Sequence, residues 1–204
     1  PDLVPQFPLM RAAVRAFGME PIEKAGFEAD DLIATYACQA EAAGADVLII
    51  SADKDLMQIV TPRILFYDFE SGTRGKPGYR PERKIDVEGV IEYFGVPPDK
   101  VTDVQALVGD SSDNVPGVPG IGIKTASQLI SEFGNLESLL ARAGEIKQPK
   151  RRANLVEHAD QARMSKTLVT LDCNVALDVE TSALKVPDVD GTRLVGFLKA
   201  MEFT

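Results

Sequence analysis

The chain has no tryptophan, one histidine and two cysteines in 204 residues, and aromatic residues make up only 6% of it. Each scarcity removes a class of chemistry. His158 is the only imidazole and sits in Leu155-Val156-Glu157-His158-Ala159, so a Ser-His-Asp or Cys-His hydrolase is a poor fit. His158 reads instead as a helix-surface or helix-packing residue. Cys38 and Cys173 lie in apolar surroundings with no metal-ligand spacing, which predicts two buried, reduced thiols in a cytoplasmic protein. No run of about 18 apolar residues is present, so no membrane partner is expected, and no signal-peptide pattern opens the chain.

What the chain does have is a core-forming 45% of hydrophobic residues and an excess of acid, with 31 Asp and Glu against 22 Lys and Arg. The net charge of −9 argues at first against a nucleic-acid partner, because phosphate binding normally needs a basic surface. The acids are not spread evenly, however, and bound divalent ions would cancel several of those that cluster. Positive charge is also concentrated locally, at Lys147, Lys150, Arg151 and Arg152.

Three acidic groups stand out. Glu28, Asp30 and Asp31 open a helical pattern, and Asp53 and Asp55 follow the apolar run Val47-Leu48-Ile49-Ile50. That run reads as a buried parallel strand, since a solvated strand would alternate apolar with polar. Residues two apart on an extended chain share a face, so Asp53 and Asp55 are expected to point to one side. Asp110 and Asp113 have the i, i+3 spacing that places two side chains on one helical face. Open α/β sheets bind ligands beyond the carboxyl ends of their strands, where helices also begin. If the three groups meet there, their repulsion requires cations, and an all-oxygen set suits Mg2+ or Mn2+. Taken singly, Glu28, Asp30 and Asp31 are as well explained by capping, and Asp53 and Asp55 as loop residues after a strand.

The order of elements predicts an α/β fold, with a mostly parallel sheet flanked by helices over 1–108 and an all-α domain over 109–204. A first helix carries Leu3, Phe7, Met10, Val14 and Phe17 on one stripe, and a second runs to Gly44. A strand over 47–52, a short helix from Leu56 to Val60 and a strand from Ile64 to Phe69 follow. Residues 70–83 read as a surface loop. Asp86 caps the next helix and Gly95 closes it, after which Pro97-Pro98 starts a helix that delivers Asp110 and Asp113. Beyond about 134 the pattern is helical to about 170, with a terminal helix over 191–202 bearing Leu194, Phe197, Leu198 and Met201.

Between the two halves lies Val115-Pro116-Gly117-Val118-Pro119-Gly120-Ile121-Gly122-Ile123-Lys124-Thr125-Ala126, the start of a helical hairpin over about 115–133. Proline removes donors and glycine permits positive φ, so Pro116 to Gly122 is a tight turn feeding a helix. Backbone N–H groups at such a helix start grip phosphate without reading bases. Lys124, Lys150, Arg151 and Arg152 would extend the track, and the turn's carbonyls are placed to bind a monovalent cation. A purely structural helical hairpin is the competing reading.

Glu28-Ala-Asp30-Asp31, Ser51-Ala-Asp53-Lys54-Asp55, Gly109-Asp110-Ser-Ser-Asp113-Asn114 and the Gly117–Ala126 turn, in this order and spacing, closely resemble the 5′-nuclease (flap endonuclease) family. Within it the chain is most similar to the 5′→3′ exonuclease domains of bacterial DNA polymerase I. The resemblance implies a PIN-like core and a divalent-metal-dependent phosphodiesterase working by two-metal catalysis. Its implied substrates are branched, nicked or flapped duplex DNA and RNA primers, in replication and repair. It assigns Glu28, Asp30, Asp31, Asp53, Asp55, Asp110 and Asp113 to the metal site, with Asp30, Asp31, Asp53 and Asp55 as catalytic. It assigns Gly117, Gly120, Ile121, Gly122, Lys124 and Thr125 to a helix–hairpin–helix that holds the duplex backbone and binds K+. A polymerase domain is expected C-terminal to this segment, and the nucleoid is the expected place of work.

The same family begins with a strand bearing a metal-site aspartate and then a basic helical arch. Nothing in these 204 residues corresponds to either, and Pro1 is not a native start, so the chain is expected to begin mid-protein. An incomplete sheet edge and little nuclease activity in isolation are the consequences. Two rivals remain: a non-catalytic helix–hairpin–helix module that only grips duplex DNA, and a small PIN-class ribonuclease, which leaves the hairpin unexplained.

Overall fold

The computed structural model describes residues 3–203. Contacts divide the chain into two compact units, one formed by residues up to Leu32 together with Ala176 onward, the other by Ile33–Val175. The division falls inside helix α2 (Ala29–Ala42).

In the first unit, a 3-10 turn at Val4–Gln6 leads into α1 (Phe7–Ala16), which packs against α9 (Gly191–Ala200). Asp190 caps α9 by accepting from the N–H groups of Thr192 and Arg193 at 2.9 and 3.1 Å. The stripe foreseen for α1 is not a buried one: Leu3, Phe7, Met10 and Phe17 remain 43–53% exposed, and Ala16 is the fully buried position. Leu194, Phe197, Leu198 and Met201 are half-buried.

The second unit carries a three-stranded sheet of order β1-β2-β3, with β1 Val47–Ile50, β2 Ile64–Asp68 and β3 Arg83–Ile85. β1 runs parallel to β2, Val47 opposite Ile64 and Ile50 opposite Tyr67, whereas β3 returns antiparallel with Asp68 opposite Arg83. The sheet is therefore mixed rather than mostly parallel. The segment read as a loop over 70–83 is the turn of a β2–β3 hairpin, extended by a Ser71–Arg80 bridge. β1 forms an edge among the described residues, and its Leu48 and Ile50 are 49% and 64% exposed, so β1 is not the doubly buried strand its composition suggests.

Helices α3 (Val87–Phe94), α4 (Val101–Val108), α5 (Ile123–Phe133), α6 (Leu136–Ala141), α7 (Pro149–Glu157) and α8 (Ala159–Val169) complete this unit. The expected punctuation is in place. Asp86 accepts from Gly89 N at 2.9 Å, a cap of about 1 kcal/mol, and Gly95 ends α3 at φ 75°. Asn135, not anticipated, caps α6 through Ser138 N at 2.8 Å.

α4 lies between α5 and α8 and is almost entirely buried, with Val101, Val104 and Leu107 at 0% exposure. One apolar cluster joins Ile49, Leu56, Ile64 and Phe66 of the sheet side to Ile130, Leu136, Leu139 and Leu155 of the helices. The boundary at 108 consequently does not separate two cores: residues on both sides of it share one. Cys38 and Cys173 are half-buried rather than buried, and no disulfide joins them. His158 sits half-buried at the α7–α8 junction, where its carbonyl accepts from Ala162 N at 2.9 Å. Among the described residues no helix is long and apolar enough to cross a membrane.

Candidate metal and nucleic-acid site

β1 ends at Ile50, and the chain turns at Ser51 into a 3-10 segment, Lys54–Ile59. Asp53 caps that segment with its Oδ1 accepting from Asp55 N at 3.0 Å, while Ser51 Oγ accepts from Asp53 N at 3.0 Å. The two aspartates therefore do not share a strand face. Asp53 is exposed, and Asp55, one turn on, is carried inward against α4, where Gln105 Nε2 donates to its Oδ1 at 2.5 Å. Asp53 is thus a cap and not only a loop residue, and its bond fixes the start of the segment that carries Asp55.

Asp110 and Asp113 do not lie on one helical face, because α4 stops at Val108 and Gly109 caps it at φ 75°. Asp110 instead forms a backbone bridge with Val115, N to O at 2.8 Å and O to N at 2.7 Å, closing a turn through Ser111–Asn114. Asn114 takes φ 58° within it. The turn buries the Asp110 carboxylate, whose Oδ1 accepts from Ser112 N at 2.8 Å, and leaves Asp113 exposed.

Two of the distant motifs meet at Lys54. Its ammonium donates to Asp110 Oδ2 and lies 3.8 Å from Asp55 Oδ1. The bond from Lys54 holds Asp110 below the ordinary carboxylate range. Burial pushes Asp55 up, the charges of Asp53 and Asp110 add to this, and Gln105 and Lys54 oppose it. Burial would lower Lys54, but the bond to Asp110 and the charges of Asp55, Asp110 and Asp53 outweigh it and leave the ammonium above its ordinary value.

Glu28, Asp30 and Asp31 belong to the other unit. The Glu28 carbonyl accepts from Leu32 N at 3.4 Å at the head of α2, and Asp30 and Asp31 occupy its first turn. Among the described residues no three Asp, Glu, His or Cys side chains stand close enough to hold a metal ion. The donor chemistry nonetheless fits a hard cation: two partly buried carboxylates from separate motifs already share one positive charge, that of Lys54. Asp53 and Asp113 line a cleft of about 300 Å3 beside it, together with Lys54, Asp68, Arg80, Arg83 and Tyr93.

Sequence reasoning passed over Lys54, Gln105, Asp68, Arg80 and Arg83. For Asp68 a signal existed. Ile64, Phe66 and Asp68 alternate along β2 and are all buried, so period-two spacing puts the carboxylate on the core face. Gln105 carried none, being one of three polar residues, with Thr102 and Asp103, on a mostly apolar helix.

The hairpin is built as its glycines require. A Cβ on Gly117 would lie 2.4 Å from the Gly109 nitrogen, and one on Gly109 would lie 2.6 Å from the Val115 oxygen. The two backbones cross there, with Val118 N donating to Leu107 O at 2.7 Å. From α8, Gln161 Nε2 donates to Gly117 O at 2.5 Å, and Ser165 Oγ accepts from Gly117 N at 3.2 Å. Gly120 turns at φ 78°, whereas Gly122, the N-cap of α5, is extended at φ −102° and has open space around it.

Ile121 is buried, Thr125 half-buried and Lys124 exposed on the first turn of α5. Lys150 and Arg151 join Pro119, Gly120 and Ile121 around a second cleft of about 290 Å3, and Asn154 Nδ2 ties α7 to Pro119 O at 2.8 Å. Arg152 points elsewhere, 3.5 Å from Ile146 O.

Residues 1–95 match the 5′-3′ exonuclease N-terminal resolvase-like domain and residues 96–192 the 5′-3′ exonuclease C-terminal SAM fold. DNA polymerase I of Rhizobium leguminosarum is 53% identical over 203 residues, and that of Bacillus caldotenax 36%. Both alignments take in 100% of this chain but only 19% and 22% of those proteins. A bacteriophage T5 5′-exonuclease with bound zinc superposes with a TM-score of 0.66 at 25% identity, covering 90% of this chain and 62% of that one. The catalytic core of Rad2 in complex with DNA shares the fold at a TM-score of 0.59 and 17% identity, over 100% of this chain and 65% of its own. The two matched domains meet just ahead of α4 and together take in nearly the whole chain, and the chain belongs to the 5′-3′ exonuclease family.

Proposed function

We propose that this chain is the substrate-gripping and metal-binding part of a structure-specific 5′-nuclease acting on branched, nicked or flapped DNA and on RNA primers. The observation that carries the proposal is the meeting of Asp55 and Asp110, from motifs 55 positions apart, around one positive charge at the end of β1. Asp53, Asp55, Asp110 and Asp113 are the residues of the larger unit that would hold Mg2+ or Mn2+, and Glu28, Asp30 and Asp31 are separate candidate ligands at the head of α2. Such ions polarise the phosphodiester and lower the pKa of water. Gln105 keeps Asp55 turned toward Asp110, and Ser51 and the Asp53 cap fix where the acidic turn leaves the sheet.

The Gly117–Ala126 hairpin, with Gly120, Ile121, Gly122, Lys124, Thr125, Lys150, Arg151 and Arg152, holds the duplex backbone, with K+ on the hairpin carbonyls. A polymerase domain following in the same polypeptide, and work on the bacterial nucleoid, accord with the relatives' names.

Calorimetric titration with Mn2+ tests this. Heat of binding that disappears in Asp55→Asn and Asp110→Asn supports it. No Mn2+ binding, with duplex affinity the same in chelator, leaves the binding-module reading in its place.

A further inference from the structure

We infer that Arg80 and Arg83 form a phosphate subsite beside the acidic turn, on the β2–β3 hairpin, which takes a backbone phosphodiester of the nucleic-acid strand. The inference rests on the proposed function and extends it to a part of the chain outside the acidic and hairpin motifs. The cleft of about 300 Å3 there is lined by Lys54, Arg80 and Arg83 together with Asp53 and Asp113. A single water takes about 30 Å3 of liquid volume, so the cleft has room for a nucleotide's phosphate.

Both guanidinium groups are held at their base and left open at their tip. Arg83 Nη2 donates to Asp68 Oδ2 at 2.7 Å, and Asp68 is a 3%-exposed residue directly across the strand pair. Arg80 Nε donates to Ser71 Oγ at 3.0 Å across the neighbouring bridge. Among the described residues, Arg83 Nε and Nη1 and both terminal nitrogens of Arg80 have no acceptor. Asp68 Oδ1 is buried with no hydrogen-bond partner, so the carboxylate is committed to Arg83 alone. A strand pair needing only register would not require a buried, half-satisfied acid, which is costly.

Charge gives the sign of the ligand. The cleft's lining holds three cations, Lys54, Arg80 and Arg83, and three carboxylates, Asp53, Asp68 and Asp113, so the walls are balanced. Divalent ions on the acidic turn would make them net positive, and a planar guanidinium edge matches two phosphate oxygens. A phosphate seated there lies beside Asp53 and Asp113, which places Arg80 and Arg83 as positioning residues for the strand rather than catalytic ones.

The test is the salt dependence of binding of a fluorescent 5′-flap DNA to the whole chain, in Ca2+ and in chelator. Each lost phosphate contact lowers the slope of log affinity against log salt by about 0.7–0.9. Arg80→Gln and Arg83→Gln are each expected to lower it by about that amount and to weaken binding several-fold in Ca2+, with less effect in chelator. Arg80→Gln leaves the Asp68–Arg83 pair in place, so it decides the matter even if Arg83→Gln melts early. An Arg80→Gln protein with the parental slope and affinity overturns the subsite. If in that case Lys150→Gln and Arg151→Gln still weaken binding, the proposed function stands without it. If the parent itself does not bind the flap, both readings fall.

Discussion

Lys54 and Asp110, 56 positions apart, are bonded across the gap between the end of β1 and the turn after α4, and Asp55 lies 3.8 Å from the same ammonium. A cation entering that gap has to displace the lysine or bear its repulsion. Lys54→Met is therefore expected to tighten Mn2+ binding about threefold to tenfold, roughly 0.7–1.4 kcal/mol. Weaker binding in the variant, read by calorimetry, would show that Lys54 supports the site instead of filling it.

Asp55 and Asp110 respond to pH in opposite senses. Asp55, pushed up by burial, adds stability in acid that is lost as pH rises through its folded value. Asp110, held down by Lys54, adds stability that is present above about pH 3.9 and is lost as pH falls through its folded value. In cation-free buffer at pH 7, Asp55→Asn should raise the urea midpoint. Asp110→Asn should lower stability by about 1–3 kcal/mol. Both differences should shrink toward pH 3, and a pH-independent effect would contradict the assignment.

Asp103 is a buried acid that serves the fold. Its Oδ1 accepts from Leu136 N at 3.2 Å and from Lys166 Nζ at 2.5 Å, joining α4 to the start of α6 and to α8. Asp103→Ala leaves a buried N–H unpaired and should cost about 2–3 kcal/mol. Mn2+ affinity measured well below the new melting temperature should stay at the parental value. A loss of cation binding would place Asp103 in the acidic site.

The glycines of the hairpin are expected to differ among themselves. Gly117→Ala meets backbone at 2.4 Å at φ 60° and should cost several kcal/mol, about 2–5. Gly122→Ser, extended and unobstructed, is expected to be neutral or slightly stabilising, since serine is a good N-cap. Gly120→Val at φ 78° should weaken duplex binding more than it lowers the melting temperature. Equal effects at all three positions in thermal melts and fluorescence anisotropy would remove the distinction.

Much of this was legible in the sequence. Asp86 and Gly95 announce both ends of α3, and the Pro-Gly turn announces the hairpin, because caps and positive-φ glycines are local chemistry written in adjacent residues. What was hidden depends on partners far away. Arg83-Lys84-Ile85 is too short and too charged to look like a strand, and it becomes one only because β2 offers its free edge and Asp68 receives Arg83. Asp110 and Asp113 carry helical spacing, yet Gly109 ends the helix because the crossing with Gly117 leaves no room to continue. The apolar stripe of α1 predicted burial and met little, since periodicity reports which side of a helix is apolar and not whether anything covers it.

The crossing of Gly109 and Gly117 has a mechanical meaning. The turn carrying Asp110 and the turn carrying Gly120 are clamped back to back through a single pair of peptide planes, with Gln161 and Ser165 bracing one of them from behind. A strand seated on one turn is thereby gauged against the other, like work held in the jaw of a caliper, and the span between them cannot drift unless the chain itself comes apart.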